Sequence, residues 1–585
     1  MSRYQAPRRP RTGLWVLLAV VIMVAAVVGM FAWDAVQLRD AADRLQVHAA
    51  GAKAAVSAHD VDALAQEVVA VESAAKDFSR ASSGVHWWVA NHVPWVKDQT
   101  LPLTQAGRST LAIAEGALAP LSQMEDLSAL QVPRIEDGRI DPWVLEPYRA
   151  TLSQAADVVV TQQDALAAVD LTHTVAQVRD PFRDLRTQLG ELGDIIVGGH
   201  VAAEVLPGML GADAPRTYLV MVQNLAEPRT TGGIPGAVIE VTVDDGRFEI
   251  GRYVAAGSMV NTQGIDVALT PDEEAIFGDK MLVYPQDTNF TPQFPRTAEL
   301  MAQFWRESQH ERVDAVASLD PVALGYMLQG APPIDVAGVA VNSTNAAQIL
   351  MNQTYLMFEA PADQDAFFEV AAQAVFTAML QGDGDVVGGT TRALDEGRFM
   401  VWSANQDEQA LLERTQISGA FLTRGNSLGV FLSDGSGSKI GYYLDMQVAV
   451  TDLMCPSGEL RGQRVDVTLT HTFDGAVEDL PEYISGGGVF VPAGEFHGNV
   501  VLYPQRDMGV LGMMQDGATG AMNGHAHGDR TRVAAWVELA PGQTTHLVFD
   551  VVANAPGIEP QGITVTPRPT TVPITRTLDV WQGDC

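Results

Sequence analysis

Tyr218-Leu219-Val220-Met221-Val222-Gln223-Asn224-Leu225-Ala226-Glu227-Pro228-Arg229-Thr230-Thr231-Gly232-Gly233-Ile234-Pro235-Gly236 marks a change of texture in the chain. Tyr218 to Val222 is short, apolar and unbroken, the pattern of a strand buried on both faces. Asn224 to Gly236 reads as a glycine-rich loop. Ala237 to Val243 reads as a second strand, turning at Asp244-Asp245-Gly246 into a third at Arg247 to Tyr253. Further on, helical spacing at Ala298 to Gln309 and Val322 to Leu328 brackets a strand at Val313 to Leu319. Strands interleaved with helices predict an α/β (or α+β) domain over residues 206–416.

Downstream the pattern becomes strand after strand. Gly441 to Thr451, Val465 to Phe473, Val489 to Val491, Asn499 to Tyr503, Val533 to Leu539 and Thr545 to Ala553 are separated by turn signals such as Asp474-Gly475 and Pro541-Gly542. That spacing predicts a β-sandwich over residues 417–585. Upstream, residues 34–205 are alanine-rich with apolar positions three and four apart, as at Val61, Leu64, Val68 and Val71. They predict a helical stalk, with Pro94, Pro102, Pro120, Pro133, Pro142 and Pro147 breaking it into helices. The cluster His86-Trp87-Trp88, with Trp95, reads as the end of a bundle packed by tryptophans; the other reading is a second contact with the bilayer, since tryptophan favours membrane interfaces.

Leu14 to Trp33 carries no charge and follows Arg3, Arg8, Arg9 and Arg11. A helix of that length, at about 1.5 Å per residue, just crosses a hydrocarbon core of roughly 30 Å. The basic flank keeps residues 1–13 as a cytoplasmic tail and sends the bulk of the chain outside. The run ends in bulky residues, unlike the small-residue site of a cleaved signal peptide. The expectation is a single-pass protein of the cell membrane, N-terminus cytoplasmic and bulk extracytoplasmic.

The chain of 585 residues has a formal charge of −34, with five lysines against 32 arginines. So acidic a surface argues against nucleic acid or anionic lipid as a broad-surface partner. An anionic ligand can still bind in a local arginine pocket. Cys455 and Cys585 fall in the part expected outside, where disulfides persist. They are expected to pair and clamp the tail; the other reading is two free thiols.

The densest chemical motif is the opening stretch itself. Its polar residues emerge at a strand end, where open sheets place ligands. Asn224, Glu227, Arg229 and Thr230 are candidate ligand-binding residues, with Arg229 offering a fork for phosphate or carboxylate. Gly232, Gly233 and Gly236 would let backbone approach a ligand closely. Asp287-Thr288-Asn289-Phe290-Thr291-Pro292-Gln293-Phe294-Pro295 closes on Arg296, a further candidate. Asp287 and Asn289 could offer oxygens to Mg²⁺, and Asp320 could cap a helix, bind metal, or both. His525-Ala526-His527 reads as a solvated loop; the other reading sets both histidines on one strand face, with Asp529, as metal ligands. There is no G-x-S-x-G elbow, Walker A loop or H-E-x-x-H motif, and no catalytic residue is assigned.

Tyr218 to Gly236, Asp287 to Pro295 and Val313 to Gly338 together resemble the domain of unknown function four-zero-one-two of bacterial membrane-anchored proteins. Lys439-Ile440-Gly441-Tyr442-Tyr443-Leu444-Asp445 is similar to its strand-rich continuation, so the resemblance covers roughly residues 215–505. A more distant similarity is to the LytR-CpsA-Psr enzymes, which transfer glycopolymers from a polyprenyl pyrophosphate carrier to the cell wall with arginines and Mg²⁺-binding aspartates. That similarity implies pyrophosphate contact for Arg229. The family's isoleucine-proline-arginine-aspartate block has no counterpart here. The expected function is therefore an anchored envelope protein binding an anionic glycan or lipid-linked ligand through its mixed domain, with protein partners at the sandwich. The alternative is a diverged transferase, and whether the protein is an enzyme stays open at this stage.

Overall fold

The computed structural model describes residues 12–58, 60–124, 135–136, 138–456 and 458–585. The basic residues 1–11 lie outside these, as do the side chains of residues 14–25 in the uncharged run. The backbone of that run belongs to one long helix, Thr12–Ala58. Among the described residues no helix is long and apolar enough to cross a membrane. The chain divides into two compact units, Met1–Leu130 with Tyr148–His200, and Gln131–Pro147 with Val201–Cys585.

The first unit is helical, as its spacing predicts. Val61–Ala81 starts on Asp60, whose carboxylate accepts from the Ala63 N–H, and lays Val68, Val71, Ala75 and Phe78 into the interior. Of the prolines expected to break helices, Pro94, Pro142 and Pro147 fall between the α-helices and Pro120 lies one residue before a helix end, as expected, while Pro133 is outside the described residues and only Pro102 breaks nothing among those described. Pro102 sits inside the helix Lys97–Ile113, which runs on through a π-helical turn, Ala114–Leu118, into Ala119–Leu121. Pro120 lacks an N–H and crowds the carbonyl four residues back. A wider turn just before it relieves that crowding, and the helix ends one residue later at Leu121.

The second unit holds a seven-stranded mixed sheet. Its strands are β1 (Ile135–Glu136), β2 (Arg139–Ile140), β3 (Arg216–Arg229), β4 (Gly232–Asp244), β5 (Arg247–Ala255), β6 (Ala315–Leu319) and Met400–Ser403, in the order β1-β2-β5-β4-β3-β6 and then Met400–Ser403. β3 pairs parallel with β6 and antiparallel with β4. The stretch expected to be a loop is the far end of this β3–β4 hairpin. Its ladder is interrupted twice, at Val222/Gln223 and between Asn224 and Pro228, and then resumes to Arg229 opposite Gly232. β1 and β2 fall within residues expected to be helical stalk. They add to the sheet edge, where Arg139 grips Asp245 at 2.8 Å.

Alternation along β3 explains what covers each face. Leu219 and Met221 pack with Phe294, Ala298, Met301 and Trp305 of the helix Phe294–Gln309. Val220 and Val222 face the other way, toward Ile239, Ile250 and Tyr253 and toward Ala372 and Phe376 of the helix Pro361–Leu380. That helix is apolar on more than one side. Phe367, Ala371 and Val375, four residues apart, pack into a small core with Leu328, Val336 and Ile349.

The C-terminal region is β-rich. One sheet runs Asn523–His527, Arg530–Leu539, Phe496–Tyr503, Leu428–Asp434, Ile563–Val565; the other runs Ala518–Thr519, Met508–Gln515, Thr544–Ala553, Leu460–His471, Leu444–Met454, Ile574–Val580. Alternate residues of both, such as Val430, Leu432, Val448, Val467, Val500 and Phe549, share one core. Two local expectations fail. Val489 to Val491 is a bend in a loop opened by Gly486, Gly487 and Gly488, and His525 to His527 lies in an edge strand. Cys455 and Cys585 are disulfide-bonded, with Cα atoms 5.9 Å apart.

Candidate functional site

The helix Pro361–Leu380 does not close on the sheet along its whole length. Between them lies a cavity of about 920 Å³. Its long section is apolar, lined by Val222, Ile239, Val241, Phe368, Val375 and Met379. Toward the hairpin end the lining turns polar, with Glu227, Arg229, Gln286, Ser438, Lys439 and Tyr483. Val489 and Phe490 also line it while remaining largely exposed. Ligand cavities of this size and make-up, apolar walls with a few convergent polar groups, are the usual form of small-molecule sites.

Arg229 is buried at the polar end. It donates from Nη2 to Asp287 Oδ1 at 3.2 Å and from Nη1 to the Asp434 carbonyl at 3.2 Å, and stacks over Phe290 with Cζ 4.8 Å from the ring centre. Its Nε finds no acceptor in the protein, and Gln286 Oε1 finds no donor. Beside it, Lys439 pairs with Glu227 and lies over the rings of Tyr355 and Tyr483, 4.7 and 4.4 Å from their centres. Burial works against the ammonium. Glu227 and the two tyrosines outweigh it and hold the pKa above the ordinary lysine value. Asn224 donates to Tyr355 Oη at 2.8 Å.

Two carboxyls here are hard to ionise. Burial raises Asp287 despite Arg229. Burial pushes Asp434 up to about 6, Arg229 and the hydrogen bonds from Ser436 and Gly437 notwithstanding. Folded Asp434 thus holds its proton to higher pH than it does in the unfolded chain, where its value is near 3.8. Between about pH 4 and 6 the folded state binds more protons, so this group's contribution to stability falls as pH rises through that window and levels off above it. Urea midpoints from pH 4 to 7 should show the slope, and Asp434→Asn should flatten it; an unchanged slope would assign the effect to other groups.

The remaining expected residues have structural partners. Thr230 donates to the carbonyls of Asn289 and Phe290 at 2.8 and 2.9 Å, and Asn289 donates to the Gly233 carbonyl at 2.6 Å. These bonds tie the hairpin tip to the Asp287–Phe290 turn. Arg296 is bound to Glu273, Glu299 and the Ala268 carbonyl. Asp320 caps the helix Pro321–Met327 and pairs with Arg398 at 3.0 Å. The structure therefore brings Asn224, Glu227, Arg229 and Asp287 to one place; Arg296 and Asp320 are engaged elsewhere.

Gly236 lines the cavity, but Gly232 and Gly233 have a different role from the one expected. A Cβ on Gly233 would stand 2.0 Å from the Asn224 carbonyl oxygen, and one on Gly232 2.2 Å from Gln223 Oε1. They let the two strands of the hairpin close on each other, not on a ligand. Lys439, Asp434, Tyr355 and Tyr483 were not singled out as site residues. Lys439, Asp434 and Tyr355 meet Glu227, Arg229 and Asn224 across more than a hundred residues of sequence, Tyr483 joins them through Lys439, and only Lys439, a rare lysine beside a glycine-rich turn, carries any local signal.

Residues 213–355 match a family model described as protein of unknown function (DUF4012). The match takes in Tyr218 to Gly236, Asp287 to Pro295 and Val313 to Gly338, and ends short of Lys439 to Asp445. No curated protein and no solved structure matches the chain.

Proposed function

We propose that this is a membrane-anchored protein of the cell envelope, held by Leu14 to Trp33 with its bulk extracytoplasmic, and that its cavity binds a lipid-linked ligand. The apolar section takes the chain, and the anionic head sits at Arg229 and Lys439. The observation that carries this reading is the cavity itself: about 920 Å³, walled by aliphatic and aromatic side chains, ending at a buried arginine whose Nε has no partner. A free glycan would leave those apolar walls uncovered, so the lipid-linked form is the better fit.

Carboxylates outnumber cations at the polar end, since Glu227, Asp287, Asp434 and Glu482 stand against Arg229 and Lys439. Among the described residues no three acidic, histidine or cysteine groups converge to hold a metal. Mg²⁺ is commonly bound by one or two carboxylates plus substrate phosphates. In this proposal Mg²⁺ therefore arrives with a phosphate, and Asp287 is the carboxylate nearest Arg229 to meet it.

The test is calorimetric titration of a polyprenyl pyrophosphate into the full chain in detergent, with and without Mg²⁺. Saturable binding is expected, weakened for the corresponding alcohol. Ala372→Trp, which fills the apolar section, should abolish it while the melting temperature holds. Absence of binding to folded protein, or full binding by Ala372→Trp, counts against the proposal.

A further inference from the structure

Asp34 is the first charged residue after the uncharged run. Its carboxylate accepts from Trp87 Nε1 at 3.0 Å and lies 2.6 Å from His86 Nε2. The Phe31 ring meets both aromatic rings edge-on, each at 5.2 Å. The short helix Val85–Ala90 is thereby fixed at the level where the run ends.

The tryptophans here do not pack a bundle end as their clustering suggests. Trp87 does, at 3% exposure; Trp88 is 63% exposed and Trp95 81%. Val85, Val89 and Val93 are exposed beside them, as is Trp33 on the long helix. Trp95 also sits in the left-handed region at φ 75°, an outlier for a bulky residue. With so much of its side chain in the open, little packing offsets that cost. Outliers of this kind persist where a function needs the geometry.

We infer that the segment Val85 to Val96 is a membrane foot: Trp88 and Trp95 enter the headgroup region of the bilayer from which the first helix emerges. This rests on the anchor reading above. Phe31 and Asp34, on either side of the exposed Trp33, hold the segment against the end of the uncharged run, and the bonds to Asp34 place it at the water boundary. Tryptophan, apolar in body with one N–H to satisfy, is the side chain enriched at that depth. The foot is held rigidly. His92 Nδ1 lies 2.7 Å from the Trp88 carbonyl, and Gln99 and Asp98 bind the His173–Val175 segment. Together the anchor and the foot give the first helical unit two attachments to the bilayer, which limits its tilt.

The experiment uses the full chain in lipid nanodiscs carrying nitroxide lipids. The native cysteines are paired, so a single introduced thiol can take an environment-sensitive fluorophore. Three sites are compared: Trp95→Cys in the foot, Val20→Cys in the uncharged run, and Ile195→Cys. Ile195 is exposed and lies about 28 Å along the helix Ala176–Met209 from its foot-proximal start. The proposal expects Val20→Cys to lose its fluorescence to deep nitroxides, Trp95→Cys to shallow ones, and Ile195→Cys to neither. Quenching at Val20→Cys with Trp95→Cys behaving like Ile195→Cys overturns the foot and leaves the anchor standing. No quenching at either position overturns both.

Discussion

Asp320→Ala is expected to cost the second unit about 3–5 kcal/mol, the scale of stripping one partner from a buried ion pair. Asp320 and Arg398 are both almost fully enclosed and 3.0 Å apart. The same carboxylate accepts the Val322 and Ala323 N–H groups at 2.8 Å, so alanine also removes a helix cap worth about 1 kcal/mol. Arg398 keeps Glu396 and the Arg568 carbonyl, which tempers the loss. Asp320→Asn retains the cap and should fall between the two. Urea denaturation of the full chain, read at constant slope, measures it. A loss below about 1 kcal/mol would mean that the pair is not structural and would reopen the metal-ligand reading of Asp320.

Loss of the disulfide is expected to cost about as much. A bridge closing a loop of this length contributes about 5 kcal/mol on chain-entropy grounds, the cysteines being 130 residues apart. Its mechanical role is local. The strand Ile574–Val580 is exposed at every position and, among the described residues, pairs only with Leu444–Met454. Apart from that ladder, Arg576 bound to Asp452 and Gln561 is its main side-chain tie to the rest. The double variant Cys455→Ser, Cys585→Ser should therefore show a lower urea midpoint and early proteolytic loss of residues 574–585, with the core beneath still resistant. An unchanged midpoint and an intact tail would show that the ladder alone suffices.

What was legible in the sequence followed from period. Alternation located the C-terminal strands Leu444–Met454, Leu460–His471, Phe496–Tyr503, Arg530–Leu539 and Thr544–Ala553 but not Leu428–Asp434 or Met508–Gln515, and the apolar run at Tyr218 located the sheet. Spacing of three and four located the helices around Val68 and Met301. The misreadings occur where tertiary contacts override a local signal. Glycine and proline between Asn224 and Gly236 argue for a loop, yet Thr230, Asn289 and Gln223 hold that stretch as a bulged hairpin. Pro102 argues for a helix break, yet it sits inside the helix Lys97–Ile113. For the site, Arg229 was legible because a buried strand aims it. Its neighbours Asp434 and Lys439 were not, because nothing local reveals which distant segment a hairpin tip will meet.

That tip has a consequence for inheritance. Leu225 offers its carbonyl to Arg568, Glu227 pairs with Lys439, Arg229 reaches Asp434, and the Thr230 carbonyl accepts from Thr566. Every one of those partners lies beyond residue 355, where the family match stops. The matched segment is therefore not a freestanding cassette that evolution could splice onto another scaffold unchanged. Wherever it is reused, Asp287 comes with the segment as the arginine's acid, but something must co-evolve to supply a further acceptor for that arginine, a cation for Glu227 and a buried donor for the Leu225 carbonyl, or the hairpin would carry an unpaired carboxylate and unsatisfied polar groups into its own interior.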